Sequence, residues 1–233
     1  MRFLIRRKRP VLLAKLEITS NLEKAAAHFQ KHGWAYVENI ISEDFHKELL
    51  INFPKRHNLV SPNLLAKSYD SATYWVYGRD QDFSRFDPYN YYQAPVKFLN
   101  YLRSPEFADR ITKFVGLGKE FACYSFTANR TYVGSEVIPH KDCVQDDPLA
   151  NAIINIVFFI NGTGGKNSGG LSLSKDSELK DMIVEPENLK NTCLIYDSLA
   201  DFYHGFRPVA RGKFRWAMNS QFCTKDYAEK SRK

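Results

Sequence analysis

The feature that most constrains this chain is a change of texture at its midpoint. From Phe121 onward, short β-rich runs follow one another, separated by turn-forming residues: Phe121–Thr127, Glu136–Ile138, Ile153–Ile160, Leu171–Leu173, Met182–Val184, Thr192–Tyr196, Phe206–Val209 and Phe214–Phe222. Clusters such as Asn161-Gly162-Thr163-Gly164-Gly165 and Ser168-Gly169-Gly170 mark the turns between them. About eight short strands in roughly a hundred residues predict a small barrel or jelly roll.

The first half reads as helical. Ser20-Asn21-Leu22-Glu23 fits a capping box. The helix it opens runs to His32, where Gly33 supplies the stop. Trp34–Val37 is a candidate strand, and Ser42 is placed to cap a second helix carrying Phe45, Leu49 and Leu50 on one face. Ser104-Pro105 opens a further helix to about Val115, before Gly116 and Gly118. The fold class expected is therefore mainly β with N-terminal helices, an α+β arrangement. Between the helices, the segment from Ser68 to Gln93 is dense in aromatics, among them Tyr74, Trp75, Tyr77, Phe83, Phe86 and Tyr91, with no sustained period. It reads as a long structured loop, either a lid or substrate wall or a cover for the sheet.

Charge decides what partners to expect. The formal net charge is +7, but Arg2, Arg6, Arg7, Lys8 and Arg9 supply five of the excess charges and the tail from Lys225 to Lys233 the remaining two. The body between is neutral, which argues against a nucleic-acid-binding core and leaves peripheral contact of the basic N-terminus with a membrane open. No apolar run approaches the ~20 residues of a bilayer span, and Val11–Ala14 is too short for a signal-peptide core. Cys123, Cys143, Cys193 and Cys223 lie far apart with no CxxC, so reduced thiols and a cytoplasmic location are expected. The expected organisation is a basic segment over 1–18, a helical and aromatic-loop region over 19–120 packing on a core over 121–224, and a basic tail over 225–233, with 19–224 as one domain. Oligomeric state is not legible.

The residues that carry chemistry are His140-Lys141-Asp142 and His204. On an extended segment, residues i and i+2 project to the same side, so His140 and Asp142 can bind one metal ion, with His204 arriving from a distant strand. Two histidines and one carboxylate with the remaining positions open is the facial-triad pattern of non-haem Fe(II) oxygenases. A closed four-ligand site would instead be structural. His28, His32, His46 and His57 lie in the helical half and read as surface or satisfied polar positions; Asp146 and Asp147 read as a solvated turn, and Cys143 as a packing residue.

The order His140-Lys141-Asp142, Ile156–Asn161, Gly169-Gly170-Leu171-Ser172-Leu173, then His204 with Pro208, Val209 and Gly212, resembles the Fe(II)/2-oxoglutarate dioxygenases, especially their prolyl-hydroxylase-like branch. The resemblance implies a double-stranded β-helix (jelly-roll) core. It implies Fe(II) held by His140, Asp142 and His204, with 2-oxoglutarate and dioxygen as co-substrates, and hydroxylation of an unactivated C–H bond in a peptidyl proline or another small or peptidyl substrate, coupled to decarboxylation of 2-oxoglutarate to succinate. Such enzymes hold the distal carboxylate of 2-oxoglutarate with a cation on the last strand, commonly ten residues past the distal histidine. That position here is Phe214, a departure, and the cations flanking it are Lys213 and Arg215. Arg215 is favoured because a guanidinium pairs bidentately with carboxylate and Arg215–Asn219 continues the strand; Lys213 is the alternative. Tyr132 matches a second contact to 2-oxoglutarate, and Arg130 is a weaker candidate for facing an acidic substrate group. The competing reading is a cupin-like metal-binding protein without oxygenase activity.

Overall fold

The computed structural model describes residues 14–54, 93–142 and 153–230. Fifteen elements follow in chain order: helices α1 (Asn21–Lys24) and α2 (Ala26–His32), strand β1 (Trp34–Glu38), helices α3 (Glu43–Asn52), α4 (Gln93–Leu102) and α5 (Pro105–Val115), strands β2 (Phe121–Thr131), β3 (Val137–His140), β4 (Ile154–Gly162), β5 (Ser172–Ser174), β6 (Met182–Val184), β7 (Thr192–Asp197), β8 (Tyr203–Phe206) and β9 (Arg215–Thr224), and helix α6 (Lys225–Lys230). The strands form two antiparallel sheets, a five-stranded one in the order β1-β7-β4-β9-β2 and a four-stranded one in the order β3-β8-β5-β6. From β2 to β9 the chain passes repeatedly between them, so residues distant in sequence meet across the space the sheets enclose.

Strand alternation divides the apolar residues into two cores. On one face of the larger sheet Ile154, Ile156, Phe158 and Ile160 of β4, with Met218 and Phe222 of β9, pack against Phe98, Phe107, Ile111 and Phe114 of the helices. Phe98 meets Phe158 edge-on at 5.0 Å and Phe107 meets Phe222 at 5.6 Å. On the other face Val157, Phe159, Leu194, Tyr196 and Ala217 meet Leu173 and Phe206 of the smaller sheet. Strand β4 is thus buried on both faces, which is why it reads as a continuous apolar run. Each such side chain contributes ~1.5–3 kcal/mol of burial.

The local signals mostly act as written. Gly33 and Gly116 take the left-handed conformation that ends α2 and α5 (φ 75° and 73°), and the Ser104 hydroxyl accepts from Phe107 N–H at 3.1 Å with Pro105 at the first helical position. Several expectations are corrected. Ser20 and Ser42 occupy the positions before their helices but make no side-chain cap bond. Glu23 instead pairs with Arg110 at 2.7 Å, and the Ser42 hydroxyl donates to Lys15 O at 3.3 Å. Helix α4 has no counterpart in the sequence reading: Pro95 looks like a breaker but lies in the first turn, where a missing N–H costs nothing. The last expected strand but one lies earlier than predicted, at Tyr203–Phe206, because Pro208 cannot donate to a ladder. Within the basic tail, residues 225–230 form α6, with Ala228 buried and Tyr227 against Tyr124 at 5.6 Å. The aromatic segment up to residue 92, the basic residues 1–13, and Cys143, Asp146 and Asp147 lie outside the described residues. Among the described residues no helix is long and apolar enough to cross a membrane.

Candidate metal centre

Strands β3 and β8 pair antiparallel with His140 directly opposite His204, their rings 4.3 Å apart. Gly205 makes this close pairing possible: a Cβ there would lie 2.6 Å from Val137 O and 2.8 Å from Pro139 Cα. Asp142 follows β3, and its Oδ1 lies 3.5 Å from His140 Nε2 and 3.3 Å from His204 Nε2. Each of the three residues offers a ligand atom, all within 4.8 Å of one another, a set that can hold a metal ion. Among the described residues no other group of histidine, cysteine and acidic side chains converges in this way.

The surroundings orient these atoms. His140 Nδ1 lies 2.8 Å from Ile138 O. A carbonyl only accepts, so Nδ1 carries the proton and Nε2 is directed at the cluster. Burial pushes the Asp142 carboxyl up, but hydrogen bonds with His140 and His204 outweigh it and hold the group well below the ordinary carboxylate range. The bond to Asp142 raises His140 against its partial burial. Asp142 Oδ2 accepts from Asn155 Nδ2 at 2.9 Å. The ring of Tyr196, buried on β7, lies 4.9 Å from that of His204. His204 is 7% exposed and His140 34%, so the cluster opens on the His140 side.

Arg215 begins β9 and is 2% exposed, yet its guanidinium reaches across the inter-sheet space to lie 4.8 Å from the Phe206 ring, with Nη2 donating to Asn129 Oδ1 at 3.0 Å. Phe206 is two residues beyond His204 on β8, on the same face and ~6.6 Å away along the strand. Imidazole and guanidinium therefore line one side of the same space. Thr131, opposite Arg215 in the β2–β9 register, has a buried hydroxyl with no hydrogen-bond partner among the described residues.

The structure separates the other candidates. Lys213 does not share a strand face with Arg215: it precedes β9, and its Nζ donates to Gly164 O at 3.2 Å. Tyr132 sits just past β2, in a turn where its N–H donates to Ser135 Oγ at 3.2 Å. Arg130 faces the helices rather than the inter-sheet space. Its guanidinium lies 3.9 Å over Trp216 and 5.5 Å from Phe53, which themselves stack at 5.5 Å, so its strand parity places it on the opposite face of the sheet from Arg215. His28 and His32 stay exposed, their rings 4.5 Å apart. His46 is buried with its Nε2 2.7 Å from Ile160 O, a satisfied polar position as expected. Asn155 and Tyr196, which lie against the cluster, are not singled out by the sequence reading. The available signal was a lone asparagine inside the apolar run Ile153–Ile160.

No protein-family model matches the sequence, and no curated protein matches it. Solved structures do. A Pseudomonas putida prolyl-4-hydroxylase is 16% identical over 88% of this chain and 99% of its own, with a TM-score of 0.59. A Trichoplax adhaerens prolyl hydroxylase, solved with a hypoxia-inducible-factor oxygen degradation domain peptide fragment, is 12% identical over 90% and 92%, with a TM-score of 0.60. HygX of Streptomyces hygroscopicus, solved with nickel, 2-oxoglutarate and hygromycin B, is 8% identical over 87% of each chain, with a TM-score of 0.61. The chain thus has the fold of the 2-oxoglutarate/Fe(II) oxygenases, prolyl hydroxylases among them.

Proposed function

We propose that this chain is an Fe(II)/2-oxoglutarate-dependent dioxygenase that hydroxylates an unactivated C–H bond in a peptidyl proline or another small or peptidyl substrate. The observation that carries the reading is the placement of the His140, Asp142 and His204 cluster and the buried Arg215 guanidinium along one wall of one inter-sheet space. The donor set fits Fe(II): two imidazole nitrogens and one carboxylate oxygen on one side leave the other positions for co-substrates. The far end fits a dicarboxylate, since a buried planar fork stands opposite a buried hydroxyl. The alternation of strands between the sheets supports a double-stranded β-helix, or jelly-roll, core over 121–224, with 19–120 packed on it.

In this reading His140, Asp142 and His204 hold the metal, and Arg215 holds the distal carboxylate of 2-oxoglutarate with Thr131 beside it. Tyr132, at the same end of β2, is the candidate second contact, and Lys213 the lesser candidate for the cation. When bound, Fe(II) with 2-oxoglutarate and dioxygen supplies the oxidising chemistry, converting 2-oxoglutarate to succinate and carbon dioxide and hydroxylating the substrate. The protein's own part is geometric. The paired strands β3 and β8 fix the imidazoles, Ile138 O sets the His140 tautomer, and the apolar wall of Val157, Phe159 and Phe206 keeps water from the co-substrate. The neutral body of the chain favours a substrate other than nucleic acid, and the spaced cysteines favour a cytoplasmic site of action.

The test is succinate formation by the full chain. Turnover requiring both Fe(II) and 2-oxoglutarate, lost in His140→Ala, is the expected result. Metal binding without any 2-oxoglutarate binding would favour the cupin-like metal binder instead.

A further inference from the structure

One row of side chains crosses the larger sheet beneath the metal cluster. Asn155 of β4 lies in register with Tyr196 of β7 on one side and with Gln221 of β9 on the other, and Gln221 lies in register with Ser125 of β2. All project into the inter-sheet space, the face on which Tyr196 and Ala217 are buried. Three hydrogen bonds run along it. Ser125 Oγ donates to Gln221 Oε1 at 2.6 Å, Gln221 Nε2 donates to Asn155 Oδ1 at 3.0 Å, and Asn155 Nδ2 donates to Asp142 Oδ2 at 2.9 Å.

The direction of this chain is forced from its inner end. An ionised Asp142 only accepts, so Asn155 must present its amide NH2. The Asn155 carbonyl then faces Gln221, which must present its own NH2. The Gln221 carbonyl in turn needs a donor, and the Ser125 hydroxyl is one. Each amide thus fixes the orientation of the next. The outer anchor depends on a β-bulge: the register shifts between Cys123 and Ser125, with Cys123 opposite Phe222 and Ser125 opposite Gln221. An unbroken ladder would place Ser125 opposite Ser220 and Tyr124 opposite Gln221, and the serine would face the helices. Bulges re-aim side chains in this way.

We propose that Asn155, Gln221 and Ser125 form a positioning relay that fixes Asp142 as a one-oxygen metal ligand. The inference rests on the metal-site reading above. With Oδ2 engaged by Asn155, Oδ1 is the oxygen left facing the two imidazoles. A carboxylate free to turn would offer both oxygens and occupy a position that a co-substrate needs. None of the three relay residues touches the metal position; they act through Asp142. Second partners of this kind carry about tenfold to a hundredfold in metal affinity.

Gln221→Glu is the sharpest test, because it keeps the shape and reverses one bond. The new carboxylate takes the Asn155 amide, and Asn155 then turns its carbonyl oxygen on Asp142. The probe is Co(II) added to the metal-free full chain, followed by its visible absorption, with thermal melting of the metal-free protein alongside. Gln221→Glu and Asn155→Ala are expected to weaken Co(II) binding about tenfold or more and to alter its spectrum, with metal-free melting near that of wild type. Ser125→Ala weakens it less, and Ser125→Thr restores it. Wild-type Co(II) affinity and spectrum in Gln221→Glu and Ser125→Ala overturn the relay, whatever Asn155→Ala does. Weakened binding that only parallels a fall in metal-free melting overturns the positioning role in favour of a packing one. A wild-type protein that binds no Co(II) overturns the metal-site reading and this inference with it.

Discussion

Replacing Arg215 separates the oxygenase reading from a bare metal site, and its effect can be sized from the structure. The guanidinium is 2% exposed and already gives one donor to Asn129. The rest of the fork can grip a carboxylate with two charge-assisted bonds, each worth ~1.5–3 kcal/mol. Arg215→Lys keeps the charge but delivers it as a single point, so one such bond is lost and the KM for 2-oxoglutarate rises about 10- to 150-fold. Arg215→Met removes charge and fork together and strands a carboxylate in a buried site. Breaking a buried pair from one side costs ~3–5 kcal/mol, a rise of about 150-fold or more. The loss falls on KM, because the distal carboxylate takes no part in bond making and saturating 2-oxoglutarate recovers most of kcat. Stability should hold, since methionine of similar length removes a costly buried charge. The assay is succinate formation against 2-oxoglutarate concentration, with calorimetric titration of 2-oxoglutarate into the same variants. Lys213→Met, whose amine already donates to Gly164 O, should leave KM within about twofold. An unchanged KM in Arg215→Met refutes the assignment, and a raised KM in Lys213→Met transfers it to that residue.

Three further outcomes follow from the geometry. Gly205→Ala forces a Cβ to 2.6 Å from Val137 O and 2.8 Å from Pro139 Cα, backbone atoms that cannot yield cheaply; overpacking of this kind costs about 1–3 kcal/mol, and the variant should both melt earlier and lose Co(II) affinity as β3 and β8 part. Burial holds His46 below its ordinary value despite its bond to Ile160 O, so the unfolded chain binds the extra proton first and stability falls as pH drops below about 6.5; in His46→Gln that part of the pH dependence of melting should disappear, and an unaltered profile would refute it. Free Co(II) at a hundredfold excess over its dissociation constant should stabilise the chain by ~2.7 kcal/mol, a rise in melting temperature of about 5–10 °C, reversed by EDTA.

How much of this was legible beforehand depended on whether the signal was local. Gly33, Gly116 and the Ser104-Pro105 pair act within one turn of chain, and each is found where the residues put it. The cluster of His140, Asp142 and His204 was legible for a related reason: His140 and Asp142 are a local pair, and the order of motifs pointed to His204. Where two local signals competed, or where a partner came from far away, the reading failed. Glu23 fits a capping box, but Arg110, 87 residues on, captures it. Helix α4 is absent from the sequence reading because Pro95, in its first turn, gives no signal that separates a helix start from a break. Arg130 and Arg215 are both arginines near the predicted site, and what separates them is strand parity. Position 215 shares the face of Ala217, toward the smaller sheet, whereas position 130 pairs with Trp216 and faces the helices.

The information missing from the sequence is therefore register, and the relay shows how much a single register step carries. Ile153–Ile160 is hydrophobic enough to be read as strand without hesitation, and its one polar residue looks like an imperfection. Placed between Tyr196 and Gln221, Asn155 becomes the residue to which the Asp142 carboxylate is tied. A one-residue slip of β4 would turn Asn155 out among Phe98, Phe107 and Met218 and turn Ile154 or Ile156 toward Asp142, burying an amide among aromatic rings and leaving the carboxylate without its donor. The apolar residues of β4, buried on both faces, tolerate such a slip far better than its asparagine does. The polar residue bonded to Asp142 thus also selects the register, and the bulge at Tyr124 performs the matching adjustment on β2. Site and fold are specified together at these positions.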